Sequence, residues 1–383
     1  MISLKNYLEI FIVAFRLGLT SFGGPTAHLG YFQKEYVQKR KWLTSEQYAD
    51  LVALSQFLPG PASSQVGMGI GLLRGGLLGS ILAFIGFTLP SVIILLSFAL
   101  FLTGNSFDTS WIQGLKLVAV AIVAQAIVDM SKKLLPTTKH LVVAILALSI
   151  LLIFQASWLQ VAIILGAALL GQLIFTGGKS TQQSFKLSKR LGALCLVIFF
   201  VLLIFLPVLA PLHPLLTLVE KFYTAGAFVF GGGHVVLPLL ETQFVATNLV
   251  SANDFLAGYG LTQAVPGPLF TFASYLGALT NGLWGGIIAT LAIFLPAFLL
   301  IIGALPFWQV LSAQPKLRGA VSSMNAAVVG ILAATFVSPI LTQSIGSIKD
   351  VGFAIMLIAI VFFAKQPPWV TVLLGLLIGI IFY

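Results

Sequence analysis

Four short motifs rich in glycine and proline interrupt this apolar chain, and at them backbone groups could bind a ligand. The motifs are Phe22-Gly23-Gly24-Pro25, Gln56-Phe57-Leu58-Pro59-Gly60-Pro61, Phe230-Gly231-Gly232-Gly233-His234 and Gln263-Ala264-Val265-Pro266-Gly267-Pro268. Proline fits the first turn of a helix because it has no N–H to leave unpaired, and glycine lets a ligand approach the backbone. A helix that starts at such a motif presents unpaired N–H groups and the positive end of its dipole. The motifs therefore predict an anion site built from backbone.

Uncharged side chains beside the motifs could add hydrogen bonds. Hydroxyl groups follow the breaks at Thr26, Ser63, Ser64 and Thr271. Gln56 and Gln263 stand at equivalent places, where their amides could donate to a ligand or hold the broken backbone; the sequence leaves both roles open. Asn325, in a long apolar stretch, could line the path or bond across helices.

One arginine lies within an apolar stretch, where a charge is costly and usually functional. Arg16 has the planar fork that suits a tetrahedral oxyanion. It could instead reach the membrane surface or pair with Glu9 or Glu35.

Three further side chains are candidates for carrying a proton across the membrane. They are His234, Glu241 and Asp129. For His234 a purely structural, hydrogen-bonded role is the alternative.

The elements that must position these groups are membrane helices. Apolar residues make up 59% of the 383 residues and charged residues only 8%, against about 25% in a water-soluble domain. Apolar stretches long enough to span a bilayer include residues 77–102, 191–209 and 285–302. The composition therefore predicts an all-α polytopic membrane protein.

The chain repeats itself after about 207 residues. The first motif aligns with the third and the second with the fourth; residues 44–48, which begin with an N-cap-like hydroxyl, align with 251–255. Gly75 and Gly79 align with Gly282 and Gly286. We interpret residues 1–180 as one repeat, 181–211 as a basic loop and linking helix, and 212–383 as a second repeat.

Lysine and arginine orient the two repeats. The loop after the first motif carries Lys34, Lys39, Arg40 and Lys41, whereas neither residue type occurs between Lys221 and Lys316. Cytoplasmic loops are enriched in lysine and arginine, so equivalent loops are predicted on opposite faces of the membrane. Such an inverted-topology repeat is common in secondary transporters.

The interrupted segments are too broken for ordinary spans, and we interpret them as re-entrant or broken helical hairpins. Each repeat then has two hairpins and about four transmembrane helices, with residues 191–209 as a central transmembrane helix. A rival interpretation lets some hairpins cross the membrane fully. Irregular backbone survives in a bilayer only inside protein or along a wet cavity, so the motifs should meet at a cavity.

Other functional classes lack the residues they need. The net charge of +10 is explained by cytoplasmic loops, and no basic run alternates with aromatic residues, so no nucleic-acid partner is expected. The single cysteine, Cys195, and four scattered histidines predict no metal site and no cofactor. The sequence shows neither a nucleophile–base pair, nor paired carboxylates in the spans, nor a GxxxxGK[ST] nucleotide loop, so we expect no enzyme.

These motifs resemble those of the chromate ion transporter family in its long, two-domain form. The matching stretches are residues 21–25, 56–61, 230–238, 255–260 and 263–277, of which 266–272 is the most specific. Residues 246–250 depart from the family pattern, in which a Gly-Trp is expected. The resemblance implies a multi-pass protein of the bacterial plasma (inner) membrane that exports chromate by the ion-motive force, with sulfate as a chemical look-alike.

Motifs and resemblance together predict a secondary active transporter that exports a tetrahedral divalent oxyanion, chromate or sulfate, by alternating access. Its partners are then the anion and the lipid bilayer, and a homodimer is compatible with the sequence. An anion channel using the same helix ends, or a carrier of sulfate or another oxyanion, is the alternative. Shape and charge do not separate chromate from sulfate, and the coupling ion is left open.

Overall fold

A computed structural model describes residues 4–104, 110–154, 156, 158–175, 185, 187–364 and 366–383. Every regular element in these ranges is helical. The ranges contain five helical stretches long and apolar enough to span a membrane: Ala62–Thr103, Ile112–Leu134, Lys189–Leu212, Leu269–Ala313 and Pro315–Ser344. The prediction of an all-α polytopic membrane protein is confirmed. The end of the predicted first repeat, residues 176–180, and part of the predicted basic loop, residues 181–184 and 186, lie outside the described residues.

The first part of the chain forms seven helices in its described residues. They are α1 (Leu4–Thr20), α2 (Gly24–Phe32), α3 (Ser45–Phe57), α4 (Ala62–Gly104), α5 (Ile112–Leu134), α6 (Thr138–Ile153) and α7 (Leu159–Ile174). A π-helical segment, Gln33–Lys39, extends α2. The linking helix α8 (Lys189–Leu209) has a largely apolar, exposed surface, as a lipid-facing helix should, and buries Cys195.

The remaining helices follow the linking helix in the same order of short and long segments. They are α9 (Pro214–Ala227), α10 (Val236–Phe244), α11 (Ala252–Thr262), α12 (Phe272–Ala304), α13 (Trp308–Ala313), α14 (Pro315–Thr335), α15 (Thr342–Ser344), α16 (Ile348–Ala359) and α17 (Pro368–Phe382). Short 3₁₀ turns, Gly233–Val235 and Leu269–Thr271, lead into α10 and α12. The π-helical segments Phe336–Leu341 and Ile360–Ala364 extend α14 and α16.

All four motifs interrupt the helices where the sequence predicted. At each break a glycine has a positive φ that residues with a Cβ rarely adopt, for example +116° at Gly60 and +105° at Gly267. Pro25 lies in the first turn of α2, and α4 begins directly after Pro61. The predicted helix starts at these motifs are confirmed.

The first two broken segments return to the end from which they enter. Arg40, at the end of the π-helical segment, pairs with Glu9 near the start of α1. Arg74, at the end of the first part of α4, lies 3.5 Å from the same Glu9 carboxylate. The segments therefore fold back as hairpins with a common base at Glu9.

A capping hydroxyl starts each of the helices that precede the second and fourth breaks, α3 and α11. Thr44 accepts from the Gln47 backbone N–H while the Gln47 side chain accepts from the Thr44 N–H, so the two form a capping box. The Ser251 hydroxyl accepts from the Asp254 N–H at the start of α11. Both N-caps predicted from the repeat are confirmed.

A second kind of break divides each long helix, and it corrects the sequence alignment by one residue. Gly76 and Gly282 both have φ 62° and ψ −157°, and each follows a residue with φ −136°. Close helix contacts then fall at Gly71 with Gly79 and at Gly277 with Gly285. The structure thus matches Gly76 and Gly79 with Gly282 and Gly285; the alignment of Gly75 and Gly79 with Gly282 and Gly286 was wrong.

Helices from the two parts of the chain pack against each other in a reciprocal arrangement. α5 packs on α16 and α17, while α14 packs on α6 and α7. Glycines allow the closest approaches: a Cβ on Gly114 of α5 would lie 1.9 Å from the Gly375 carbonyl oxygen of α17, and one on Gly171 of α7 would lie 2.3 Å from the Gly319 carbonyl oxygen of α14. The two parts therefore share one interlocked core.

Candidate functional site

The four broken segments contact one another in pairs. The Gly60 N–H donates to the Val229 carbonyl oxygen (2.7 Å), which joins the second break to the third. The Gly267 N–H donates to the Ser21 carbonyl oxygen (3.0 Å), which joins the fourth break to the first. Both bonds cross between the two parts of the chain and satisfy backbone groups that an apolar surrounding would leave unpaired.

A cavity of about 200 Å³ lies beside these breaks. Its walls come from the first break, the third and fourth breaks, α5 and the start of α17. The lining residues are Gly23, Gly24, Pro25, Ile122, Gln125, Ala126, Asp129, His234, Thr262, Gln263, Val265, Gly267, Leu269, Gln366 and Pro368. The cavity thus combines the first turn of α2, whose N–H groups lack intrahelical acceptors, with several amide side chains.

Two predicted proton carriers, Asp129 and His234, both line this cavity. The His234 ring nitrogen Nδ1 lies 2.7 Å from the Tyr259 hydroxyl, which fixes the ring against α11. Among the described lining residues, Asp129 is the only acid and neither lysine nor arginine is present. An anion in the cavity would therefore meet backbone and amide donors together with one carboxylate.

Two buried amide atoms near the breaks have no hydrogen-bond partner in the described part of the protein. Gln263 Nε2 is one of them, and Gln263 lines the cavity. Asn325 Oδ1 is the other, and it lies 3.5 Å from the position a Cβ would take on Gly231. Because an unpaired buried polar atom costs about 1–3 kcal/mol, the Gln263 Nε2 donor is suited to an anion that enters the cavity, whereas the Asn325 oxygen is an acceptor outside the lining.

Arg16 lies away from this cavity. Its side chain is 57% exposed and pairs with Glu35 at 3.2 Å. It lines a different cavity, together with Tyr31, Lys34 and Lys39 at the base of the first hairpin. The geometry matches the ion pair that the sequence offered as the alternative role for Arg16, and its role in binding substrate stays a prediction.

Residues of the second break also lie outside the cavity lining. Gln56 is exposed, whereas Gln65 donates from Nε2 to the Pro59 carbonyl oxygen at 2.8 Å. Ser63 Oγ lies 3.2 Å from His28 Nδ1 in a buried contact. Here a glutamine that the sequence did not single out, Gln65, holds the broken backbone.

The remaining predicted residues are placed as follows. Thr26 accepts from Lys133 Nζ (3.3 Å), and the Thr271 hydroxyl donates to the Pro268 carbonyl oxygen (2.7 Å).

Gly233 packs against Pro25 and Leu269, so the third break touches the first and fourth. Residues of the candidate set that lie in the breaks but do not line the cavity include Pro59, Gly60, Pro61, Gly231, Gly232, Gly233, Pro266 and Pro268. Glu241 lies on α10, outside the lining.

Sequence reasoning missed Gln125, Thr262 and Gln366 as polar lining residues. For Gln125 a signal was present, because it precedes Asp129 by one helical turn and is polar within an apolar span. Thr262 and Gln366 gave no such signal, since their approach to the first break depends on how the two parts of the chain pack.

Comparison with known proteins gives consistent results. The family model described as "Chromate transporter" matches residues 8–172 and again residues 216–380. A protein of Synechococcus elongatus named "Probable chromate transport protein" is 28% identical over 398 residues, covering 100% of this chain and 96% of that protein. The chromate transport protein of Pseudomonas aeruginosa is 26% identical over 356 residues, covering 86% and 80%.

A third relative, the chromate transport protein of Cupriavidus metallidurans, is 25% identical over 387 residues, covering 96% of this chain and 91% of that protein. No solved structure matches the chain.

Proposed function

We propose, from the premise that the chain belongs to the chromate transporter family, that it is a secondary active transporter of a tetrahedral divalent oxyanion. It is a multi-pass protein of the bacterial plasma membrane, as its apolar helices and its relatives indicate. Chromate is the substrate that the names of its relatives support, and sulfate is the chemical look-alike that we also expect to bind. We propose export as the direction.

One observation carries this proposal: the breaks in the helices meet, through Gly60 with Val229 and Gly267 with Ser21, beside a polar cavity. Broken helices at a shared cavity are how secondary transporters build ion sites within the membrane. The first turn of α2 and the unpaired Gln263 amide would donate to the oxyanion.

The two repeats would supply alternating access. Matched break angles at Gly76 and Gly282, together with matched bonds between the breaks, support residues 1–180 and 212–383 as repeats of opposite orientation. The cavity reaches Gly23 and Gln263, whereas their counterparts Gly231 and Gln56 lie outside it. This difference between equivalent residues is what we expect of a carrier in one of its two states.

Asp129 would couple the anion to a proton. At an effective dielectric constant near 20, two unit charges 4 Å apart interact by about 4 kcal/mol, so a divalent anion would meet about twice that repulsion. We propose that the divalent anion binds together with one proton, which relieves this repulsion, and that His234, which also lines the cavity, passes that proton on.

Proton and anion would then leave the cell together with a net single negative charge. The membrane potential, negative inside, supplies about 2.3 kcal/mol per charge at 100 mV for that movement. We propose no catalytic step for this chain.

Uptake of radiolabelled chromate and sulfate into everted vesicles, with pH and voltage set independently, tests this function. We expect accumulation when the lumen is made positive, and faster accumulation when the outside, which is the former cytoplasmic face, is acidified. Flux that follows only the electrochemical gradient of the anion, with no dependence on the pH gradient, would favour the anion channel. No flux of either anion would contradict the proposal.

A further inference from the structure

A second cavity of about 600 Å³ lies where α5 turns into α6. The end of α7 and the first turns of α14 complete its walls. Its lining residues are Thr137, Thr138, Lys139, His140, Ile174, Phe175, Arg318, Gly319 and Ser322. The candidate transport site shares no residue with it.

Arg318 is the central group of this cavity. Two of its guanidinium nitrogens, Nε and Nη2, are buried and have no acceptor in the described part of the protein. These two nitrogens form one edge of the planar guanidinium group, and that edge can hold two oxygens of one anion. Buried donors on a charged group are costly when unpaired, so the edge requires an acceptor.

Around Arg318 lie one further positive charge, on Lys139, and a histidine fixed by two hydrogen bonds. His140 is buried and held on both ring nitrogens, by Thr137 Oγ1 at 2.7 Å and Ser322 Oγ at 2.8 Å. Its ring stacks on Phe175 with centroids 4.1 Å apart. Lys139 is exposed at the rim, and the described lining contains no carboxylate.

The corresponding place in the other repeat has the opposite charge. There Ser347 is the N-cap residue of α16, as Thr137 is of α6, and the third helical residue is Asp350 instead of His140. Asp350 accepts from Gln113 and from the Tyr383 hydroxyl in a cavity that Asp254 also lines. Of these two corresponding cavities only the one at Arg318 is cationic, so its charge is not a consequence of the repeated fold.

We propose that Arg318, with Lys139 at the rim, binds a tetrahedral oxyanion at this cavity, separately from the central transport site. By the lysine and arginine bias this is the cytoplasmic face of the protein. The same chemistry could come from a free divalent oxyanion waiting to enter the transporter or from the phosphate of an anionic lipid. This proposal goes beyond the proposed transport function, because binding here can be measured without transport.

A reporter at the rim measures binding locally. In a Cys195→Ala background, Thr138→Cys supplies a thiol at an exposed position beside Arg318. The purified protein is kept in a neutral detergent, and the rate of its modification by an anionic thiosulfonate reagent is followed while inorganic sulfate is added. We expect sulfate to slow modification of the thiol in a saturable way. Arg318→Gln should raise the sulfate concentration required for this protection about tenfold or more.

Three further variants make the result specific. Arg318→Lys keeps the charge but removes the fork, so it should weaken protection by several-fold while folding normally. Lys139→Gln at the rim should weaken it by about twofold to threefold. Lys316→Gln, an exposed neighbour outside the cavity lining, removes the same charge and should leave protection unchanged.

The lipid source is tested in nanodiscs of phosphatidylcholine alone or with phosphatidylglycerol. If phosphatidylglycerol protects the thiol in an Arg318-dependent way and sulfate does not, the occupant is a lipid phosphate. If only sulfate protects, the occupant is a free oxyanion. Protection by neither, or equal protection in Arg318→Gln and Lys316→Gln, would overturn the proposal.

Discussion

Asp129 is the residue on which the proposed coupling depends, because it is the one acid among the described residues that line the central cavity. The sequence indicated it as one of three candidate proton carriers, together with His234 and Glu241. The structure adds its neighbours, Gln125 one turn earlier on α5 and His234 at the third break. A carboxylate facing an anion site is useful only if it takes up a proton when the anion binds.

Asp129→Asn should therefore uncouple chromate movement from the pH gradient. With one coupled proton, the accumulation ratio changes about tenfold per pH unit at fixed voltage, whereas the variant should show no dependence on the gradient. The charge moved per anion should rise from about one to about two, since a neutral amide carries no proton. The accumulation ratio and the charge moved per anion are both measured in everted vesicles whose membrane potential is fixed with an ionophore. The exposed Glu46→Gln is the matched control, and an unchanged pH dependence in Asp129→Asn would remove this residue from the coupling step.

Glu35 illustrates a charged group whose role is structural. Burial raises the pKa of its carboxyl, but the hydrogen bond from Arg40 and the charges of Arg16, Lys39 and Arg40 outweigh burial and lower the pKa. A lowered pKa in the folded state means that the stabilisation is present above the ordinary carboxyl pKa. It is lost as the pH falls through the lower, folded-state value.

Glu35→Gln should thus destabilise the protein by about 1–3 kcal/mol at neutral pH and flatten the acid side of its stability curve. Arg16→Ala removes only an exposed partner and should cost less than about 1 kcal/mol. Thermal unfolding in detergent between acid and neutral pH measures both. Equal losses of stability in Glu35→Gln and Arg16→Ala would contradict this account of how Glu35 is stabilised.

At the scale of elements, the breaks were the most predictable feature. Glycine and proline act on the local backbone, so their positions gave the helix ends at Pro25 and Pro61, and hydroxyl caps gave the starts of α3 and α11. The sequence alignment was one residue off at Gly76 because Asn281 occupies the position equivalent to Gly75. A comparison of residue types therefore matched Gly75 with Gly282. Which breaks touch could not be predicted, since this depends on packing between distant segments.

Gly267 is the position at which a break should be most sensitive. It has a φ of +105°, its N–H bonds to Ser21, and a Cβ would approach Ser91 Oγ at 3.0 Å. Gly267→Ala should lower stability by about 1–3 kcal/mol and reduce transport more than that loss explains, because the site itself moves. Gly166→Ala, in open space on α7, is the control. Normal chromate transport by Gly267→Ala would argue against a site built at this break.

At the scale of the whole molecule, the two repeats exchange helices instead of forming separate bodies. α5 belongs to the first part of the chain yet packs on α16 and α17 of the second. The sequence predicted the repeat boundaries but gave no sign of this interlocking, which depends on small residues spaced far apart. In the transport cycle that we propose, the broken helices would move against this common scaffold.

Gly114→Ala tests whether that scaffold is as tight as the contacts indicate. The added Cβ would lie 1.9 Å from the Gly375 carbonyl oxygen, so α5 and α17 must separate, at a cost of about 1–3 kcal/mol. Gly352→Ala meets nothing within 4 Å and should be neutral or slightly stabilising in its helix. Thermal unfolding of both variants in detergent makes the comparison, and equal stability would contradict close packing across the repeats.

The most direct test of the account is to locate bound chromate by the anomalous scattering of its chromium in crystals of the protein. The account predicts a peak in the central cavity, within hydrogen-bonding distance of Gln263 and the first turn of α2, that disappears in Gly267→Ala. A peak beside Arg16 and Lys34, with none at the breaks, would contradict it.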